Sequence, residues 1–272
     1  MVFYKSALGI YIAVSAAALA IAITGQLYAP RQGTLFFALA VLLILVAAVV
    51  LQITYLKKYN RIITRYEQDY DVKNFSAQLD RRERGAWKRL GKLQVRLNQS
   101  TALIEQGQFA EAISLLLSLE PGLREKNSKR VYLLWGSFYG NLSAAYIRVG
   151  DVASAQGCLG QLQLLLDQPD GLPDVKKKIK QAYLTNYYLL LLMNEPQNAA
   201  GAVEYFRVQL QETVTFRQQS NYQFYLANAL LVAGRTGEAV ELLRRTAALS
   251  PELYIARQSA QLLGGLEQSQ AQ

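Results

Sequence analysis

Lys5, Arg31 and Lys57 bound two stretches that contain no charge at all, "SALGIYIAVSAAALAIAITGQLYAP" and "QGTLFFALAVLLILVAAVVLQITYL". A helix rises 1.5 Å per residue, so about 20 apolar residues cross a hydrocarbon core of about 30 Å. Each stretch therefore predicts a membrane span, over about residues 7–28 and 35–56. The connection "APRQG", Ala29 to Gly33, holds Pro and Gly and leaves room only for a tight helical hairpin. The first stretch also fits a cleaved leader, since "AVSAAALA" offers small residues for cleavage, but its single preceding Lys and its length favour a span. Its Ala, Ser and Gly suit close packing on a second helix, which leaves the Leu/Val-rich second span to face lipid.

Charge orients the hairpin. Lys57, Lys58, Arg61 and Arg65 follow the second span, Lys5 precedes the first, and only Arg31 marks the tip. The positive-inside rule then places both termini in the cytoplasm, in a multi-pass protein of the cell membrane. From Lys57 to Arg96 there are 12 Lys/Arg against 5 Asp/Glu, whereas Leu97 to Gln272 carries 15 of each, so +7 of the net charge of +9 belongs to the segment beside the bilayer and Lys5 and Arg31 supply the rest. Lys57, Lys58, Arg61 and Arg65 are the candidate contacts with anionic lipid, at about 1 kcal/mol per basic residue near the surface. Nucleic acid is not indicated: the patch is short and mixed in sign, and no aromatic base-stacking module accompanies it. Residues 57–86 read as a basic helical linker whose first portion extends the second span and in which Asn74 or Ser76 then caps a new helix, with an apolar face at Leu79, Ala86, Leu90, Leu93, Leu97 and Ile104.

The chain has no histidine and a single cysteine, Cys158. Imidazole bases, His-based zinc sites, intramolecular disulfides and Cys-rich clusters are all excluded. Cys158 lies in "ASAQGCLGQL" and reads as a small apolar helix residue. "LLGGLE" and "GRTG" lack the strand context and the Lys-Ser/Thr ending of a phosphate loop. Glu105, Glu111, Glu238 and Glu241 read as ordinary helix-surface carboxylates, and "VKKKIKQ" (Val175 to Gln181) as a solvated helix start. No catalytic constellation, metal set or cofactor motif emerges, so the expectation is a protein that is not an enzyme and needs no cofactor.

Beyond residue 90 the chain repeats itself. "GQFAEAISLLLSLEP", "GDVASAQGCLGQLQLLL", "GAVEYFRVQL" and "GRTGEAVELLRRTAALSP" align on Ala112, Ala155, Ala202 and Ala239, each followed at one offset by an apolar pair: Leu115/Leu116, Cys158/Leu159, Tyr205/Phe206 and Leu242/Leu243. Ahead of two of these lie Tyr139, Leu142, Ser143, Tyr146 and Gly150, and Leu226, Ala227, Leu230 and Gly234. The pattern resembles the tetratricopeptide repeat (TPR) family, in divergent form: the alanines are 43, 47 and 37 residues apart rather than the family's 34, and the third turn, "NEPQNAAG", lacks its glycine.

The whole chain is therefore expected to be all-α: the transmembrane hairpin (1–56), the linker (57–86), what the resemblance implies, a TPR-like α-solenoid of about four helix pairs with a C-terminal capping helix (87–264), and a disordered tail (265–272). Ser250-Pro251-Glu252 reads as the N-cap and first turn of that last helix, which runs to about Leu263 and covers the open end of the stack. The family's concave groove, carried over by position, falls on Asn141, Ala144 and Arg148 and on Asn221, Phe224, Tyr225 and Asn228. Amides there can bond a peptide backbone and rings can supply anchoring area. Gly140 and Ala144 stand where a carboxylate clamp needs polar side chains, so that binding mode is not implied. The functional expectation is a membrane-anchored scaffold whose partner is a protein or peptide. The alternative is an accessory or assembly subunit of a transport or secretion complex that docks through its membrane helices.

Overall fold

The structure, a computed structural model, describes the backbone of all residues except 1, 29–32, 86–88, 126–128, 170–171 and 271–272; side chains are described outside 1–11, 29–32, 51, 85–89, 126–130, 170–171 and 270–272. The side chains of Lys5, Arg31 and Ala86 thus lie outside the described residues. The chain is all-α, with no strand among the described residues, and forms two compact units, residues 1–65 and 66–272.

The first unit holds α1 (Val2–Tyr28) and most of α2 (Gly33–Asp69). Small residues of α1 let the helices approach closely: Ala18 and Ala22 are buried together with Ala40 of α2, and Ile44 packs over them. At Gly25 a Cβ atom would lie 2.3 Å from the Phe36 ring, so only glycine fits there. The other faces carry Leu, Val, Ile and Phe outward, from Ile12, Leu19 and Ile23 on α1 to Leu42, Val46, Val49 and Ile53 on α2. α2 is long and apolar enough to cross a membrane, with a mean hydropathy of 3.1 in its most apolar window.

The second unit contains the last turn of α2, from Tyr66, then α3 (Val72–Gly85), α4 (Arg89–Glu105), α5 (Phe109–Arg124), α6 (Lys129–Val149), α7 (Val152–Asp167), α8 (Pro173–Asn194), α9 (Ala199–Glu212), α10 (Phe216–Val232), α11 (Thr236–Ala247) and α12 (Tyr254–Gln270). From α3 onward every helix packs on the next. The even-numbered helices also touch one another in order, α4 on α6, α6 on α8, α8 on α10 and α10 on α12. Each repeat alanine, Ala112, Ala155, Ala202 and Ala239, is fully enclosed, as are Leu116, Phe206 and Leu243 from the pairs that follow them. A larger side chain at those alanines would push neighbouring helices apart, which is why the repeat keeps a methyl group there.

The turns within the pairs follow one design. Gly150 takes φ +80°, its N–H bonds Ile147 O at 3.2 Å and the Asp151 N–H reaches Tyr146 O at 3.0 Å, which closes α6 with a left-handed residue. Asp151 then caps α7 by accepting from the Ser154 N–H at 3.0 Å. Gly107 and Gly234 repeat the turn, whereas the third pair, which lacks the glycine, turns through a short 3₁₀ segment, Pro196–Asn198.

Several boundaries differ from those read in the sequence. α2 runs on past residue 56 to Asp69, and its break comes at Tyr70, which holds φ +51°, ahead of Asn74. Asp71, not Asn74 or Ser76, caps the next helix, since its carboxylate accepts from the Asn74 N–H at 2.9 Å. The face expected on one helix is split between α3 and α4. Ser250–Leu253 forms a turn, with the Leu253 N–H on Ser250 O at 3.0 Å, so the last helix starts at Tyr254. That helix runs through Gln270, so the tail expected to be disordered is helical that far.

α12 also does more than cover an open end, for it reaches α4 at the start of the row. The Arg257 guanidinium donates to Gln106 O at 2.7 Å, and the Tyr254 and Phe109 rings meet edge to face at 4.9 Å. The even-numbered helices therefore form a closed circuit.

Cys158 is enclosed beside Leu116 and Leu142, and burial pushes its thiol up to about 11. At pH 8 the native thiol is protonated and shielded, so maleimide should leave it unmodified until denaturant exposes it; rapid labelling of folded protein would contradict this packing. Gly150 and Gly157 both face open space but differ in backbone: Gly150→Ala should destabilise the second unit by about 1 kcal/mol, whereas Gly157→Ala, inside α7, should stabilise it by up to about 1 kcal/mol. Urea melts followed by circular dichroism read both signs.

Candidate functional site

α10 starts with Thr215 as its N-cap, the hydroxyl accepting from the Gln218 N–H. Arg217, Asn221, Phe224, Tyr225 and Asn228 then recur at intervals of three and four and share one side of the helix. This side faces into the circuit. Phe224 is 2% and Asn221 8% exposed, so neither presents a free surface.

The occupant of this face is the chain itself. The Arg217 Nε donates to Glu67 Oε1 at 2.8 Å, and its Nη1 donates to Glu105 Oε1 at 2.8 Å. Glu67, in the last turn of α2, also accepts from the Thr215 hydroxyl at 2.9 Å. The Tyr70 hydroxyl donates to Glu105 and lies 3.2 Å from Asn221 Oδ1, while the Asn221 Nδ2 reaches Glu105 Oε1 at 3.3 Å. The Arg217 guanidinium sits 5.5 Å from the centre of the Tyr66 ring, which stacks on Phe75 at 3.8 Å.

The ion pairs are shielded, with side-chain exposures of 19% for Arg217, 20% for Glu67 and 10% for Glu105. Burial by itself would lower the Arg217 pKa, but Glu105 and Glu67 outweigh it and hold the group firmly charged. Tyr66 and Tyr70 are pushed well above the usual phenol range, first by burial and then by the Glu105 charge. Both therefore stay neutral, and Tyr70 acts as a donor.

A second cation shares the interior. The Arg148 guanidinium, from α6, lies 5.6, 5.5 and 5.2 Å from the ring centres of Phe224, Tyr225 and Tyr254. Burial raises the Tyr225 pKa, opposed by the Arg148 charge.

Of the groove residues read from the sequence, Arg148, Phe224 and Tyr225 come together and Asn221 joins the Arg217 network, whereas Asn141 and Asn228 make separate internal bonds. Asn141 donates to Leu97 O, Ser100 and Thr101 of α4 at 3.3, 3.1 and 2.9 Å and ties α6 to α4. Asn228 donates within its own helix to Phe224 O at 2.7 Å. Ala144 is partly buried on α6. Lys57, Lys58, Arg61 and Arg65 all lie exposed on α2. Glu105 is no surface carboxylate but a shielded hub that accepts from Arg217, Tyr70 and Asn221. Glu111, Glu238 and Glu241 do lie exposed. Among the described residues, no cluster of three or more His, Cys, Asp or Glu is placed to hold a metal ion.

Sequence reasoning passed over Tyr66, Glu67, Tyr70 and Arg217. Arg217 was within reach, since it lies one turn before Asn221 on the same side of α10. Glu67 and Tyr70 offered only a change of sign, "YEQDYD" after a basic run.

No family model, no curated protein and no solved structure matches the chain.

Removing the cation strands two carboxylates in a shielded site, so Arg217→Met should destabilise the second unit by about 3–5 kcal/mol. Tyr70→Phe removes one hydroxyl from Glu105 and should cost about 1–2 kcal/mol. Denaturant midpoints of the helical signal test this order; an Arg217→Met chain as stable as the wild type would show that the network carries no weight.

Proposed function

We propose that the chain is a membrane-anchored scaffold: a two-span hairpin holds a TPR-like α-solenoid on the cytoplasmic side, where it gathers a protein or peptide partner at the bilayer. The observation that carries this reading is the contrast between the units. The first turns large aliphatic side chains outward on both helices, an arrangement suited to lipid, while the second encloses its apolar side chains between paired helices. Anchoring raises the local concentration of a partner, so a modest affinity suffices.

The basic residues after the second span, Lys57, Lys58, Arg61 and Arg65, keep that end at the cytoplasmic face and meet anionic headgroups. The anchor reading is favoured over docking through the membrane helices because Ala18, Ala22 and Gly25, the small face of α1, are already covered by α2. What remains outward on α2 is Leu, Val and Phe, which lipid satisfies.

Topology gives the first test. In a Cys158→Ala background, Arg31→Cys should react with a membrane-impermeant maleimide on intact cells, whereas Ser269→Cys should react only after permeabilisation; labelling of Ser269→Cys from outside would reverse the orientation. The second test exchanges residues 1–56 for an unrelated two-span anchor. Partners crosslinked to the wild type should remain crosslinked to the chimera, and their loss would move recognition into the membrane helices.

A further inference from the structure

We propose that the inner face formed by α4 and α10 is a recognition surface for a short acidic–aromatic segment, and that Tyr66–Asp71 is its resident, displaceable occupant. Side chains alone join this segment to α10: Glu67 to Thr215 and Arg217, and Tyr70 to Asn221. Tyr70 also donates to Glu105, the last residue of α4. A carboxylate followed three residues later by a phenol is thus read by a guanidinium, a hydroxyl, an amide and a carboxylate, with the Tyr66 ring lying beneath the guanidinium.

Two features suit this face to exchange of its occupant. Tyr70 is the only non-glycine described residue with positive φ, a conformation that its side chain disfavours and that only the surrounding bonds sustain. Leaving the face relieves it. Arg217 meanwhile keeps Glu105 at 2.8 Å when Glu67 departs, so the vacated face holds a balanced ion pair rather than a stranded charge. Arg148, held over rings rather than paired with a carboxylate among the described residues, leaves the interior net positive once Glu67 has gone. An incoming segment must therefore bring a carboxylate for Arg217 and a donor for Glu105. A neutral or basic peptide would leave that net positive charge unbalanced.

The inference deepens the scaffold reading by naming the class of partner: a protein segment with an acidic residue and a tyrosine three positions apart near a helix end. Because the chain's own segment competes, the apparent affinity of any partner falls with the fraction of chains whose face is vacant.

The probe is a fluorescein-labelled peptide of residues 66–75, titrated into full-length protein in detergent micelles and followed by anisotropy. Hydrogen exchange at the amides of residues 66–71 is measured in parallel. Glu67→Gln and Tyr70→Phe in the protein loosen the resident segment without altering the face, so each should speed exchange and tighten peptide binding by about tenfold or more. A peptide carrying Glu67→Gln should lose that gain. Any variant is read only where its helical circular dichroism matches the wild type. Faster exchange with no gain in binding overturns the proposal, as does exchange that stays at the wild-type rate. Loss of the helical signal in both variants overturns it too, because a segment that the fold requires is not displaceable. The peptide readout needs no cellular partner, so its failure leaves the scaffold reading standing, and a failed anchor exchange leaves the peptide result intact.

Discussion

Arg217 draws together three parts of the chain that are far apart in sequence. Its guanidinium meets Glu67 at the end of α2 and Glu105 at the end of α4, at separations of 150 and 112 residues. A planar fork with several donors can serve two carboxylates at once, which a lysine ammonium does with much poorer geometry. Without the cation, the carboxylates would face each other in a shielded space; without the carboxylates, the cation would be buried unpaired. Opposite charges make these groups tolerable inside the unit, and the Tyr70 hydroxyl and the Asn221 amide both donate to Glu105 as well.

Closure of the even-numbered helices gives this network its setting. Stacked helix pairs in an open row leave a face to solvent, and polar residues there are free to meet a ligand. Here α12 returns to α4, with Arg257 on Gln106 O and Tyr254 against Phe109, and the enclosed face is lined by rings and amides that bond one another. Asn141 is the clearest case: an amide carried over as a peptide contact is a strut between α6 and α4. The same chemistry serves either purpose, since an amide that can hold a partner's backbone can hold the chain's own.

The repeats were legible because their signals are local. Gly107, Gly150 and Gly234 announce left-handed turns within the residues that form them, and Ala112, Ala155, Ala202 and Ala239 mark the closest helix approaches by their size. The break at Tyr70 was not legible, because a tyrosine has no intrinsic reason to take positive φ. Long-range bonds hold it there. Ser250-Pro251 misled for the converse reason: the local pattern of a helix start was present, but Leu253 turned back onto Ser250 and delayed the helix.

The sequence alone determined the helical class, the glycine turns at Gly107, Gly150 and Gly234 and the division between an apolar start and an amphipathic remainder, all consequences of neighbours within a few residues. Only the tertiary structure decided that the row of even-numbered helices closes, that Glu105 is a hub, and that Tyr66, Glu67 and Tyr70 fill the face where Asn221 and Phe224 point. Side-chain bonds between residues more than a hundred positions apart leave no periodicity in the chain. They exist only once the packing of the helices has brought their ends together.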